Sequence, residues 1–127
     1  MTREYPLRLT FTAFALSLFV TAIAAADDAF IEGFPDVPLI AGVREVDGEK
    51  MLFDTPAGTL GEVHLVGGKS SAELIDAYAL ALPPLGWSCL EHGGALACER
   101  GKDKLALSPR KTTGRAGYIV IKLEPAE

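Results

Sequence analysis

Glu62 and His64 are the residues of this 127-residue chain whose types and spacing come closest to a reactive pair. They lie two positions apart in an alternating run, so on a strand both side chains lie on one face. A carboxylate beside an imidazole suits metal binding or acid–base chemistry. A zinc site needs a third protein ligand, and the sequence places none nearby. We therefore predict that His64 is structural or solvent-facing, with no metal site and no cofactor.

A second candidate is Gly67-Gly68-Lys69-Ser70, between a predicted strand and a predicted helix. Phosphate-binding loops have that context, but their full pattern requires a glycine at position 63, where Val63 stands. We interpret the stretch as a connection in which Ser70 caps the helix. Lys69 and the free amides of the helix start remain a candidate contact for one small anion.

A third candidate is the basic loop, defined here as residues 110–116 with Arg110, Lys111 and Arg115. Such a loop suits phospholipid headgroups or another anionic polymer of the cell envelope. The alternative is a solvated hairpin tip that carries charge without function.

Charge is distributed unevenly along the chain. Residues 27–99 contain 13 acids and 3 bases, whereas residues 100–122 contain 7 bases and one acid. The acidic excess argues against a nucleic-acid-binding protein. Basic strands that pair with acidic strands and neutralise them would explain the same distribution without any ligand.

No catalytic constellation is evident. The chain has no Gly-x-Ser-x-Gly elbow, and no pair of carboxylates is singled out for acid–base work. Cys89 and Cys98 are nine positions apart, which excludes a C-x-x-C redox motif. We therefore predict no catalytic residues.

The two cysteines predict a cross-strand disulfide instead. With Gly93-Gly94 as a two-residue hairpin loop, Cys89 faces Cys98 in a non-hydrogen-bonded pair, where the Cα atoms are ~4.5 Å apart. A slipped hairpin with two reduced thiols is the alternative. The same register puts Trp87, Cys89, Leu96 and Cys98 on one face, which we expect to be buried.

The first 26 residues have the layout of a secretory signal helix. Arg3 and Arg8 precede an apolar run from Leu9 to Ile23, and small residues end at Ala26. Cleavage after Ala26 would leave 101 residues (127 less 26) and place the protein in the periplasm or outside the cell. The alternative is a retained anchor, because 9–26 is 18 residues long and about 20 normally span a bilayer.

The rest of the chain divides into an extended segment, 27–42, and a single α+β domain, 43–127. Pro35 and Pro38 break any regular structure in the extended segment. Its apolar residues Phe30, Ile31 and Phe34 are expected to pack against the core.

Turn signals then predict short strands connected by hairpins. Asp47-Gly48 predicts a hairpin between 43–46 and 49–54, in which Glu45 would face Lys50. Thr55-Pro56-Ala57-Gly58 predicts a second turn, followed by a strand over 60–66. After the helix, short strands are expected over 87–92, 95–100, 104–108 and 118–123.

A single amphipathic helix is predicted over 71–82. Ser70 and Glu73 have capping-box spacing, and Pro83-Pro84 ends the helix. Its apolar face is formed by Leu74, Ile75, Tyr78, Ala81 and Leu82. The order of strands, one helix and more strands predicts an α+β fold, with the helix packed on one face of an antiparallel sheet.

The stretch Leu82-Pro83-Pro84-Leu85-Gly86-Trp87, between that helix and paired strands, resembles uncharacterised small exported bacterial domains. In those domains a helix ends in a Leu-Pro-x-x-Gly-Trp-like turn and packs on a small antiparallel sheet. Asp36-Val37-Pro38-Leu39 is also similar. The resemblance implies a fold and no activity.

These observations predict a small exported, non-enzymatic accessory or binding domain of the cell envelope. Its expected partner is an anionic envelope component, with membrane contact only through the N-terminal segment or the basic loop. A small periplasmic hydrolase that uses Glu62 and His64 is one alternative, and a membrane-tethered domain with 9–26 retained is another. A hydrolase requires polar groups that converge in a cleft around His64, whereas a binding module requires an exposed apolar or basic patch.

Overall fold

The computed structural model describes residues 29–68 and 70–126. The predicted signal helix, its cleavage position at Ala26 and the predicted anion contact Lys69 lie outside the described residues. In the described part, seven antiparallel strands form one sheet with a single α-helix. The fold is therefore α+β and mostly sheet. No described helix is long and apolar enough to cross a membrane.

Short strands form close to the positions that the sequence predicts, and most of the turns between them lie at glycines and prolines. The strands are β1 (Val43–Glu45), β2 (Met51–Thr55), β3 (Gly58–Gly67), β4 (Ser88–His92), β5 (Ala95–Arg100), β6 (Asp103–Pro109) and β7 (Gly117–Pro125). The helix α1 (Ser71–Ala81) connects β3 to β4 and is followed by a 3₁₀ turn, Pro83–Leu85.

The sheet order is β1-β3-β7-β6-β5-β4, with β2 also paired to β3. β3 and β7 are the two longest strands and pair from Gly61↔Leu123 to Gly67↔Gly117. β4 to β7 form a meander of consecutive neighbours. β1 and β2 divide the outer edge of β3 between them: β1 pairs with 65–67 and β2 with 58–62.

One face of the sheet carries the hydrophobic core, and α1 and the extended segment cover it. Nine strand residues on this covered face are at most 2% exposed: Val63, Leu65, Leu96, Cys98, Leu105, Leu107, Ile119, Ile121 and Leu123. No described element covers the opposite face, which we call the open face.

The helix forms as predicted, one residue shorter. The Ser70 hydroxyl accepts a hydrogen bond from the Glu73 N–H at 3.2 Å, which satisfies one of the orphan donors of the helix start. Leu74, Ile75 and Tyr78 are buried against the sheet. Tyr78 also donates a hydrogen bond from its hydroxyl to the Pro38 carbonyl at 2.7 Å, which ties the extended segment to the helix.

The cysteine hairpin is confirmed in register and in pairing. Gly93 and Gly94 both have positive φ, 59° and 79°, as the predicted two-residue turn requires. Cys89 lies opposite Cys98, with their Cα atoms 4.1 Å apart, and the two form a disulfide. Trp87 and Cys98 are buried, so the predicted buried face is also correct. A disulfide indicates an oxidising, non-cytoplasmic compartment.

The predicted hairpin at Asp47-Gly48 is wrong. β1 and β2 do not pair with each other, because each pairs with β3. The predicted turn needs positive φ at both central residues, but only Gly48 has it (79°). Glu45 and Lys50 nevertheless lie 3.1 Å apart as an ion pair, although no ladder joins their strands. The second predicted turn is confirmed, since Thr55 pairs with Gly58.

The extended segment is part of the core. Ile31 and Phe34 are buried as predicted, whereas Phe30 is 49% exposed, so its predicted burial is wrong. Arg100 holds the segment in place: its Nη1 donates to Asp36 Oδ2 at 2.7 Å and to the Leu85 carbonyl at 3.0 Å, and the guanidinium stacks on the Trp87 ring.

Candidate functional site

The open face brings together polar side chains from β3, β7 and the start of the basic loop. Glu62 lies opposite Lys122, and His64 lies opposite Val120. Because side chains alternate along each strand, these residues and Tyr118 all lie on the face opposite the core. We call Glu62, His64, Arg110, Tyr118 and Lys122 the His64 cluster.

His64 is the centre of the cluster and is only 6% exposed, although no helix covers its face. Its Nδ1 lies 2.6 Å from the Tyr118 hydroxyl and 3.4 Å from Arg110 Nη1. The tautomer of the ring decides whether Nδ1 donates to the Tyr118 hydroxyl or accepts from it. Nε2 lies 3.9 Å from Glu62 Oε1. Both ring nitrogens therefore have partners within the cluster.

Arg110 is held in place from two sides. Its guanidinium lies 5.4 Å from the centre of the Tyr118 ring, in a cation–π arrangement. Its backbone N–H donates to the Tyr118 carbonyl at 2.8 Å. The Tyr118 backbone is fixed in turn by Ser71, the first helical residue, whose Oγ accepts from the Tyr118 N–H at 2.9 Å. The helix start thus fixes the strand that positions Arg110.

A shallow depression of about 430 Å³ lies beside the cluster. Small side chains form its floor, because Ala106 and Val120 leave room between the longer side chains of the rim. Ser108 contributes a hydroxyl to the depression. Arg110 and Lys122 each contribute a positive charge. Lys122 Nζ lies 3.9 Å from Glu62 Oε1, a partly exposed pair that adds little stability. The depression therefore offers one carboxylate and two cations to a ligand.

A second feature of the open face is an exposed apolar patch. Met51 and Phe53 of β2 and Leu60 of β3 are 48%, 60% and 40% exposed. Phe53 lies directly opposite Leu60, so their side chains are neighbours. A smaller depression of about 240 Å³ separates this patch from Lys122 and Glu124. We refer to Met51, Phe53 and Leu60 as the apolar patch.

The predicted anion contacts are only partly brought together. Arg110 is folded against the His64 cluster, whereas Lys111 and Arg115 lie exposed in the rest of the basic loop. Other basic residues of the C-terminal third pair with acids from earlier in the chain, two of them with acids on a neighbouring strand, as the neutralisation alternative predicts. These pairs are Arg100–Asp36, Lys104–Glu99 and Lys122–Glu62.

The described residues do not add a third ligand to Glu62 and His64. Across 29–68 and 70–126, no three His, Cys, Asp or Glu side chains lie close enough together to hold a metal ion. At the glycine-rich connection, the Ser70 hydroxyl is occupied as the helix cap.

Sequence reasoning missed Tyr118, Ser108 and Lys122 as members of this surface. Their alternation within β6 and β7 is visible in the sequence and predicts which side chains share a face. The pairing of β3 with β7, about sixty residues later in the chain, is not visible there, and that pairing creates the cluster. The apolar patch was missed for the same reason, since β2 was expected to pair with β1.

Comparison with known proteins adds no relative: no family model, no curated protein and no solved structure matches this chain. The resemblance carried by the turn after α1 therefore stays a prediction.

Proposed function

We propose that this protein is an exported, non-enzymatic binding domain whose open face binds an anionic component of the cell envelope. The disulfide supports export, and the proposed location is the periplasm or the cell exterior. The observation that carries the proposal is Arg110, a guanidinium fixed on Tyr118 at the rim of an uncovered depression.

Preorganisation is the physical reason for this choice. An exposed arginine loses side-chain freedom when it binds an anion, and this loss offsets part of the binding energy. Arg110 has already lost much of that freedom, since Tyr118 and His64 hold it. Its planar donor set matches the two oxygens of a carboxylate or a phosphate. Lys122 adds a second cation on the lining, and Lys111 and Arg115 extend the positive surface along the loop.

Binding to lipid vesicles and to a soluble anion tests the proposal. Wild type is expected to bind vesicles with half of their lipid as phosphatidylglycerol, and the Arg110→Gln variant is expected to bind at least about fivefold more weakly. Replacing Lys111 and Arg115 with Ser should reduce binding further at low salt, where attraction between exposed charges is strongest. Phosphatidylcholine vesicles are the lipid control. Soluble poly-glutamate identifies carboxylates as the recognised group if it competes.

The result that would overturn this proposal is equally specific. If Arg110→Gln and wild type bind alike in ~20 mM salt, attraction to Arg110 is absent. A melting temperature within about 2 °C of wild type would show that the variant is folded, because exposed charges contribute little to stability.

A hydrolase acting at His64 is the second candidate, favoured by Glu62 and Tyr118 beside the ring and by Ser108 in the same depression. In this arrangement the partners of His64 orient the imidazole, and activity would require one ring nitrogen to exchange its partner for a substrate. Turnover of a p-nitrophenyl ester or phosphate that is lost in His64→Ala would establish this candidate. Absence of turnover leaves the binding proposal as the function.

The tethered form is distinguished by the N-terminal residue of the purified protein. Asp27 at the N-terminus is expected if the segment is cleaved after Ala26, and Met1 or Thr2 if 9–26 remains as an anchor.

A further inference from the structure

A second surface is the outer edge of β2. This strand lies at one edge of the sheet, and β4 lies at the other. Pairs in an antiparallel hairpin alternate between hydrogen-bonded and non-hydrogen-bonded. Thr55↔Gly58 closes the β2–β3 hairpin, so Leu52 and Asp54 are the residues whose N–H and C=O groups point away from β3. No backbone group among the described residues pairs with them.

The side chains of β2 lack the usual protection of an edge. Proteins cover or charge their edge strands, because unpaired backbone groups recruit other strands. Met51, Leu52 and Phe53 are instead three consecutive exposed apolar residues, each at least 41% exposed. β4, the opposite edge, carries Glu91 on its outer side and is cross-linked to its neighbour by the disulfide.

The charge around β2 is acidic. Glu49 and Asp54 are exposed at its two ends, and Glu62 and Glu124 lie next to the apolar patch. Two cations beside this edge are already paired, Lys50 with Glu45 and Lys122 with Glu62. A second β2 strand would bring the same acids to this edge, whereas a segment with a basic side chain beside Asp54 would complement that carboxylate.

We propose that β2 binds an extended, basic and apolar segment of another polypeptide, which adds an eighth strand to the sheet. Only a strand satisfies both the N–H and the C=O groups of Leu52 and Asp54. Its apolar side chains would lie on the open face beside Met51 and Phe53. Its basic side chains would lie on the other face, next to Asp54. Glu62 borders both this surface and the His64 cluster, but the backbone groups of β2 are not part of that cluster, so the inference does not depend on the proposed function.

A synthetic octapeptide of alternating Lys and Val, labelled for fluorescence anisotropy, is the probe for the full mature chain. The alternation puts the valine side chains on the open face. It also points the backbone N–H groups of the lysine residues toward β2. We expect binding to wild type, and no binding of the matched Glu–Val octapeptide. N-methylation of the lysine amides removes the pairing hydrogen bonds and should weaken binding at least about tenfold, whereas N-methylation of the valine amides should not.

Matched protein variants separate strand pairing from charge alone. Phe53→Lys adds one positive charge and removes the apolar contact, and it should weaken binding at least about tenfold. Leu90→Lys makes the same change at another exposed position, on β4, and should leave binding within about twofold. Both positions are exposed, so both variants are expected to fold.

Three results would each overturn the proposal. One is that the Lys–Val peptide does not bind at about 1 mM. Another is that the two N-methylated peptides bind alike, or that both lysine variants lose affinity equally, because attraction would then depend on charge only. The third is a wild-type dimer in sedimentation that Phe53→Lys dissociates, which would make a second copy the occupant of β2.

Discussion

The two faces of β7 differ in burial and in chemistry, although neighbouring residues of the strand alternate between them. Ile119, Ile121 and Leu123 point to the covered face and are at most 2% exposed. Tyr118 and Lys122 point to the open face, where one belongs to a hydrogen-bonded cluster and the other to an exposed ion pair. The same strand thus contributes to stability through one face, and the proposed binding surface lies on the other.

The two faces differ because only the covered face excludes water. On the covered face the helix removes water, so stability comes from buried apolar area and close packing. On the open face water is near every group except His64, so the ion pairs contribute little to the free energy of unfolding. Substitutions on the open face should therefore change binding more than folding. Three comparisons sharpen or break this contrast.

The largest effect is expected from neighbouring residues on β7. Ile121→Ala removes a fully buried side chain and should lower the free energy of unfolding by about 3 kcal/mol, since the core cannot refill the space. Val120→Ala, one position away on the open face, should cost below about 1 kcal/mol. Urea titration of both variants provides the measurement. Equal losses would show that the open face is covered in solution.

The second effect concerns the disulfide, which joins β4 to β5 beside the core. Replacing both Cys89 and Cys98 with Ala should lower the free energy of unfolding by roughly 2–3 kcal/mol, because the unfolded chain regains the freedom of the closed loop. Thermal melts with and without reductant give the comparison, and reductant should affect wild type only. Vesicle binding should persist, since the His64 cluster lies on other strands. Two titratable thiols in the native protein would contradict the pairing.

The success of the cysteine prediction and the failure of the Asp47-Gly48 prediction have a common physical explanation. Both are two-residue turn signals, and both depend on residues at positive φ. Gly93-Gly94 provides two such residues, whereas Asp47-Gly48 provides one, and the ten-residue β3 offered both flanking strands a longer partner. Local turn chemistry therefore fixes a register only when no better long-range partner competes.

The helix and the covered face could be predicted because they depend on local spacing. Ser70, Leu74 and Tyr78 take the positions that capping and helical periodicity assign to them. The His64 cluster depends on pairing between distant strands, and no local pattern encodes the neighbour of a strand. The single sequence therefore indicates which face His64 lies on, but not that Tyr118 and Arg110 are its partners.

The smallest effect compares two tyrosines, one on each side of the sheet. Tyr78→Phe removes the hydrogen bond from a fully buried side chain to the Pro38 carbonyl and should cost about 1–2 kcal/mol. Tyr118→Phe removes a similar hydrogen bond, to His64, but at a half-buried position that water can reach. It should cost below about 1 kcal/mol, and vesicle binding should persist because the phenylalanine ring keeps the cation–π contact with Arg110.

The same pair gives a pH test with a definite sign. Burial raises the pKa of Tyr78 far above its ordinary value, so the folded protein keeps a proton that the unfolded chain loses near pH ~10. This contribution is complete below pH ~10 and declines above it, by up to about 1.4 kcal/mol per pH unit. Urea titrations between pH ~9 and ~11 should show this loss in wild type and Tyr118→Phe, and a shallower slope in Tyr78→Phe. Only Tyr78→Phe removes the buried hydroxyl, so the difference between slopes isolates Tyr78. Identical slopes would mean that the Tyr78 hydroxyl reaches solvent, and that the covered face is less sealed than the contrast between the two faces requires.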